Sequence, residues 1–460
     1  MAHRFQAAVS ASKKVEIMPA QASFSVVSAP SVRHYRRGWI ALFLFALTMI
    51  NYIDRISLSF AAKPIASEFH LSSVALGYIF SSFLWTYTLC LIPSGMWTDR
   101  SGTKFTAGVG IAFWSASTIL TGAAWSFPSL LATRLAMGAG EATSHPAAIR
   151  TIREWMPASE RGVSTAMFNS GSYAGPALCA VVAGPVIATF GWRGMFVVAG
   201  AIGFVWLAAW LYWFGSPEKV AWLSEPERTK ILSERSLATT QTDNSTQSHG
   251  LLRLLRTRTL WGLALTQGCN VYSQYLFLTW LPSYLQTSRH LTILKTGMFT
   301  AVPYGLTVVL VVLLGQLSDR ILRKRGVASG RRRNMIATTM LASSVILLAP
   351  IVSNIWILLG LITISLTGIA TTSALNFSLL NDLLPDSRDV SRAMGFLVVG
   401  GNTFGLLAPI VTGYVIAGTG SFTWAFIIAG ALLVGGATAT LTMTRRPMIA
   451  VSAVTAAAQS

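Results

Sequence analysis

Apolar runs of about twenty residues recur along nearly the whole chain, at 38–61, 74–97, 104–125, 128–149, 162–190, 193–214, 259–286, 296–317, 334–353, 355–380, 392–417 and 421–443. Each is long enough to cross a hydrocarbon core of ~30 Å. Inside lipid every backbone N–H and C=O must be satisfied within the protein, and for isolated runs of this length only the helix does that. The sequence therefore predicts an all-α membrane protein with twelve transmembrane helices. Charge agrees: only 11% of the 460 residues are charged, against roughly 25% in soluble proteins.

The net charge of +19 suggests nucleic acid in a soluble chain, but its placement gives another reading. When successive connections are assigned to alternate sides, all but six of the 35 Lys and Arg fall on one side, with both termini. Lys63, Arg193, Arg289 and Lys295 lie on the other, and Arg55 and Arg134 lie within spans. The positive-inside rule then places both termini in the cytoplasm. No nucleic-acid partner is expected. Arg193, in a short connection, is expected to tolerate lysine.

Residues 1–37 lack the order of a secretory signal and are expected to form a cytoplasmic tail, with span 1 retained. A polar stretch at 215–258 separates six spans from six. Its composition suits a flexible cytoplasmic linker with a short helix around Ser224 to Leu237. The expected organisation is thus tail 1–37, six-helix half 38–214, linker 215–258, six-helix half 259–443 and cytoplasmic tail 444–460. Cys90, Cys179 and Cys269 fall in three different spans and read as small packing residues rather than disulfide partners.

The halves repeat each other. Gly95-Met96-Trp97-Thr98-Asp99-Arg100-Ser101-Gly102-Thr103-Lys104 after span 2 returns as Gly315-Gln316-Leu317-Ser318-Asp319-Arg320 after span 8. Arg161-Gly162-Val163-Ser164-Thr165-Ala166-Met167 matches Arg388-Asp389-Val390-Ser391-Arg392-Ala393-Met394, and Val197-Val198-Ala199-Gly200 matches Ile427-Ile428-Ala429-Gly430. Parallel six-span halves are a transporter plan with the substrate site between them near the midplane.

Four side chains stand out against that plan. Asp54 and Arg55 lie deep in span 1, and Arg134 and Glu141 lie inside span 4. A charge at mid-membrane is costly unless paired or facing a wet cavity, and marks a functional site by default. Seven residues are close to two helical turns, so Arg134 and Glu141 share a face ~10 Å apart. Adjacent positions do not face one another, so Asp54 and Arg55 each need a partner from elsewhere, and span 4 offers one of each sign. A purely structural clamp between spans 1 and 4 is the competing reading. Arrival of substrate could change the balance of burial and arginine charge at either carboxyl, making it bind or release a proton.

His145 lies four residues after Glu141 on the same face. It could relay protons or tune Glu141, or pack and hydrogen-bond backbone freed by Pro146. The second half offers Asn270, Gln274, Tyr275, Tyr304, Asn376 and Asn402, groups suited to neutral hydroxyls. For Asn270 and Asn376 interhelical bonding is favoured.

The Gly-x-x-x-Asp-Arg-x-Gly-x-Lys loop, its weaker second copy and the six-plus-six layout resemble the major facilitator superfamily over about residues 35–445. A finer resemblance is to its anion:cation symporter branch, which includes hexuronate, galactonate, glucarate and tartrate permeases. It rests on Asn51-Tyr52-Ile53-Asp54-Arg55, on Arg134 and Glu141, on Trp155-Met156-Pro157-Ala158-Ser159-Glu160-Arg161-Gly162, and on Thr279-Trp280-Leu281-Pro282-Ser283-Tyr284-Leu285. The resemblance implies proton handling by Glu141 and Asp54, and substrate contacts from Arg55 and Arg134. By the same likeness Tyr52 and Tyr87 fit a sugar-acid site and Asn402 matches a substrate-contacting asparagine. Gln274, as a polar group of the second half suited to hydroxyls, is expected to contact substrate with them. It implies that Asp99–Arg100 and Asp319–Arg320 are gates, latching the halves in the outward-facing state. His145 departs from the branch, which more often has a bulky apolar residue before this proline.

The expected function is proton-coupled symport of an organic anion, a sugar acid, into a bacterial cell across the inner membrane, by a chain that works as a monomer. A phosphate antiporter would want basic residues in spans 7–12, which supply none inside the membrane. Gly171-Ser172-Tyr173-Ala174-Gly175-Pro176 is close to the signature of drug antiporters, but Ala177-Leu178-Cys179 lacks the following glycine pair. An exporter or antiporter of another small carboxylate or aromatic acid is the alternative. A membrane-embedded enzyme is remote: no metal-ligand cluster or activated nucleophile is legible, and no metal or cofactor is expected.

Overall fold

The apolar runs become helices, as hydrocarbon requires. The computed structural model describes residues 36–157, 160–242, 254–325, 330–384, 387–445 and 448, and no strand occurs among them. The elements are α1 (Gly38–Phe69), α2 (Ser73–Ser101), α3 (Thr103–Gly122), α4 (Phe127–Glu141), α5 (Ser144–Trp155), α6 (Arg161–Trp213) and α7 (Glu225–Thr242). They continue as α8 (Arg258–Thr287), α9 (Ile293–Arg325), α10 (Arg331–Ser343) with a 3-10 turn at Ser344–Leu348, α11 (Ile355–Leu383), α12 (Ser387–Thr419) and α13 (Thr423–Met443). The expected tail before Arg36, residues 243–253 of the linker and nearly all of the C-terminal tail lie outside the described residues.

Eight of these helices are long and apolar enough by themselves to cross a membrane. The remaining expected passes have local reasons for differing. Spans 5 and 6 form one element, α6, turned back at Gly191, whose φ of 70° and ψ of 177° are open to glycine. Span 7 is α8, long enough but carrying Gln267, Asn270, Ser273 and Gln274. Span 9 is α10 running into the 3-10 turn.

Span 4, expected to be continuous, breaks into α4 and α5. Pro146 has no N–H to give the preceding turn, and the helix tightens: Thr143 N bonds Gly140 O at 3.2 Å, three residues back. Ser144 Oγ donates to the Glu141 carbonyl at 2.7 Å. The pinch falls at Glu141 itself.

Glycines let helices of the first half approach. A Cβ at Gly171 would lie 2.6 Å from Phe45 O, and one at Gly175 would lie 2.4 Å from Met49 O. The antiporter-like glycines of span 5 thus serve close packing of α6 on α1, as small residues do in membranes.

The halves join toward the C-terminal ends of α1 and α8. Ser81 Oγ on α2 donates to Leu406 O on α12 at 2.7 Å, and Ser59 Oγ on α1 donates to Leu278 O on α8 at 2.7 Å. The Tyr78 and Tyr414 hydroxyls stand 3.3 Å apart, and Phe80 meets Trp280 edge-on at 5.1 Å.

The polar stretch after α6 is more ordered than its composition suggests. Trp222 stacks on Trp155 at 5.3 Å, Arg36 Nη1 donates to Trp222 O at 2.7 Å, and Arg228 donates to Pro217 O and Val220 O. Helix α7 starts one residue from the expected position.

Candidate functional site

Helices α1 and α4 bring the charged residues together in the middle of the bundle, where all four are buried. Arg55 is held by Glu141: Nε donates to Oε2 at 2.9 Å and Nη2 approaches the same oxygen at 2.7 Å. Its Nη1 donates to the Tyr275 hydroxyl of α8 at 3.2 Å, across the boundary between the halves. The guanidinium carbon lies 4.7 Å from the Tyr52 ring centroid, 4.9 Å from Phe83 and 5.2 Å from Tyr87. This aromatic cage supplies cation–π attraction where water is scarce. A guanidinium has five N–H groups; three are engaged, leaving one on each terminal nitrogen.

The second pairing expected from sequence is not formed. Asp54 is fully buried, yet neither carboxyl oxygen has a hydrogen-bond partner among the described residues. Arg134 does not bond it. Its Nη1 rests on the Met137 sulfur at 3.0 Å, its guanidinium lies 5.4 Å from the Phe83 centroid, and its Nε is without a described partner. The reason is competition: Glu141 and Arg55 lock together and Phe83 lies against both guanidinium groups. Asp54 keeps Glu141, Arg134, Trp114 and Arg55 as its polar neighbours, and the Trp114 indole N–H is also unclaimed.

The second half contributes hydroxyls and amides. Tyr304 is buried with its hydroxyl unbonded among the described residues, and its ring lies 6.5 Å from Tyr173. Asn270 Nδ2 bonds Ile369 O at 2.9 Å and Ser373 Oγ at 2.8 Å, while Asn376 Nδ2 bonds Leu263 O and Gln267 Oε1, each at 3.1 Å. These two are interhelical ties, as expected. Gln274 and Asn402 are half-buried, the Asn402 amide nitrogen having no described partner; neither bonds the Arg55 cluster. His145 makes no bond to the backbone near Pro146: its ring packs on Phe168 at 5.2 Å and stays exposed.

At the ends of the spans, Asp99 accepts from Arg150 Nη1 of α5 at 3.3 Å. Arg100 is exposed. Asp319 and Arg320 lie on α9, with side chains outside those described. Arg193 is not idle: its two terminal nitrogens grip Glu68 at 2.7 and 2.9 Å, and Nη2 also donates to Ala124 O at 3.2 Å.

Sequence reasoning named Tyr275 only as one polar residue among several and passed over Phe83, Trp114 and Met137. No spacing rule marks an aromatic in a span that faces a charge on a different one.

A model of the Major Facilitator Superfamily matches residues 44–330 and 326–458. The chain belongs to that superfamily. As a member it is a multi-pass membrane transporter. It is 32% identical over 423 residues to the probable galactarate/D-glucarate transporter GudP of Bacillus subtilis, covering 89% of this chain and 92% of that one. It is 29% identical over 406 residues to the D-galactonate transporter of Escherichia coli O6:H1, covering 87% and 94%. The structure superposes on that of a bacterial homolog to the human lysosomal transporter Spinster with a TM-score of 0.69, at 17% identity, covering 90% of this chain and 98% of that one. At that identity the likeness is one of fold.

Proposed function

We propose that the chain carries a sugar acid into a bacterial cell across the inner membrane by proton symport, with alternating access between two six-helix halves and both termini in the cytoplasm. The observation that carries this is the Arg55–Glu141 pair inside a tyrosine-rich cage, beside a buried Asp54 whose carboxyl oxygens have no described hydrogen-bond partner. With Arg55 and Glu141 cancelling, the charge of Arg134 is open to an anion once Asp54 takes up its proton. The free Arg55 N–H groups suit a carboxylate, which guanidinium binds in two-pronged fashion, and the tyrosine hydroxyls suit sugar hydroxyls. Asp54 and Glu141 are the proton carriers in this reading. Substrate contacts come from Arg55, Arg134, Tyr52, Tyr87, Gln274 and Asn402, and Asp99–Arg100 and Asp319–Arg320 act as gates. The relatives named for galactarate, glucarate and galactonate support the substrate class.

The joined end, toward the C-terminal ends of α1 and α8, is then the outer side, and the state is cytoplasm-facing in this reading. Proteoliposomes containing the purified chain should accumulate galactarate, glucarate or galactonate above equilibrium when an inward pH gradient is imposed. A protonophore should abolish the accumulation. Uptake of these acids that never exceeds equilibrium overturns the symport reading.

A further inference from the structure

His145 follows Glu141 by one helical turn, ~6 Å along the axis for four residues. It differs from the charged residues beside it in being exposed while they are buried. Arg55 is its charged neighbour and Phe168 of α6 covers one side of its ring, which sets the imidazole beside the Arg55–Glu141 pair with its other edge open. Ile149 and Arg153 continue the exposed stripe along α5 at intervals of four. The pinch at Thr143 and Pro146 sets this orientation, because it re-aims the chain just after Glu141.

The imidazole is therefore a polar group with an unclaimed edge, one turn from Glu141, the residue that holds the arginine suited to a carboxylate. One turn of helix is comparable with the length of a six-carbon chain. Resting on the transport reading above, we propose that His145 is a specificity-determining residue, receiving the far carboxylate of a dicarboxylic sugar acid whose near carboxylate sits at Arg55. A terminal alcohol at that place could be satisfied by water. A second carboxylate gains from a fixed donor, since bonds to an ionised acceptor are about twice as strong as neutral ones. The imidazole presents an N–H in either protonation state.

The test compares galactarate with galactonate, acids of equal carbon number that differ at one end, in proteoliposomes of the full chain. His145→Phe should raise the KM for galactarate roughly tenfold and shift that for galactonate by less than about twofold, the difference expected for loss of one charge-assisted bond. His145→Gln, which keeps an N–H donor, should retain most of the preference. Where the Phe variant does not reconstitute, His145→Leu serves in its place. Equal shifts for both acids, or no shift for either, overturn the inference while wild-type uptake leaves the transport reading standing. Wild-type protein that moves neither acid overturns both.

Discussion

Two nitrogens of Arg55 converge on one oxygen of Glu141, Oε2, at 2.9 and 2.7 Å, and leave Oε1 with no described partner. The pair is thus held by half of the carboxyl group, while the other half remains able to take a proton without first breaking the contact. The pair joins α1 to the pinch between α4 and α5, the backbone position where the fourth span bends.

Glu141→Gln should abolish uptake driven by a pH gradient while leaving substrate exchange across the membrane measurable. The amide keeps an oxygen for Arg55 but cannot carry a proton. Glu141→Ala should behave differently, because a buried arginine left without its partner costs about 3–5 kcal/mol. A thermal unfolding assay in detergent should show the Ala variant well below the Gln variant. Undiminished proton-driven accumulation by the Gln variant would remove Glu141 from the coupling role.

Tyr275→Phe tests the link between the halves. It removes the acceptor of Arg55 Nη1 and leaves the ring, which lies 6.1 Å from Phe83, in place. A hydrogen bond to a charged group contributes about 1.5–3 kcal/mol. The variant should therefore alter turnover or KM on the order of tenfold, with a modest fall in the unfolding temperature. Wild-type kinetics would mean that the bond is incidental.

Arg55→Lys and Arg134→Lys should both impair transport, since lysine is a point charge that cannot reproduce the planar fork. Arg258→Lys, at the exposed start of α8, is the matched control and should be silent. Arg193 is unsuitable as a control because it grips Glu68 with both terminal nitrogens. Equal tolerance of lysine at all three positions would show that charge alone suffices.

Much of this architecture is legible in the chain. Span positions follow from hydropathy because lipid leaves the backbone one solution, and the Arg55–Glu141 pair follows from helical phase plus the cost of unpaired charge. The same logic fails at Asp54, where a second ion pair with Arg134 looks equally obliged. The failure is one of phase between helices: sequence fixes which face of α4 carries Arg134, but not that Phe83 and Met137 occupy its surroundings. Breaks are legible only in part. Pro146 marks the pinch in span 4, whereas Gly191 looks like any connection until its backbone angles show a turn within one helical element.

Gly175→Val should destabilise the fold. The added Cβ would fall 2.4 Å from Met49 O and 3.0 Å from Tyr52 Cβ, forcing α1 and α6 apart or out of register. Overpacking of this kind costs typically about 1–3 kcal/mol. Because Tyr52 is displaced with α1, transport should fall along with the unfolding temperature. Normal melting with normal uptake would show that the helices part without consequence.

The last prediction concerns charge movement. Asp54 and Glu141 are two separate carboxyls in the membrane interior, and if each carries one proton, two protons enter per turnover. With galactonate, a monoanion, one net positive charge then moves inward. Moving a charge across the membrane is worth about 2.3 kcal/mol per 100 mV, so an inside-negative potential should accelerate galactonate uptake. With galactarate, a dianion at neutral pH, the same two protons leave no net charge and the rate should be indifferent to potential. Uptake of both acids should be measured at a fixed pH gradient, with the potential set by potassium and valinomycin. Galactonate uptake indifferent to potential would indicate one proton per anion. It would leave Asp54 as a partner that holds the arginines in place rather than a second carrier.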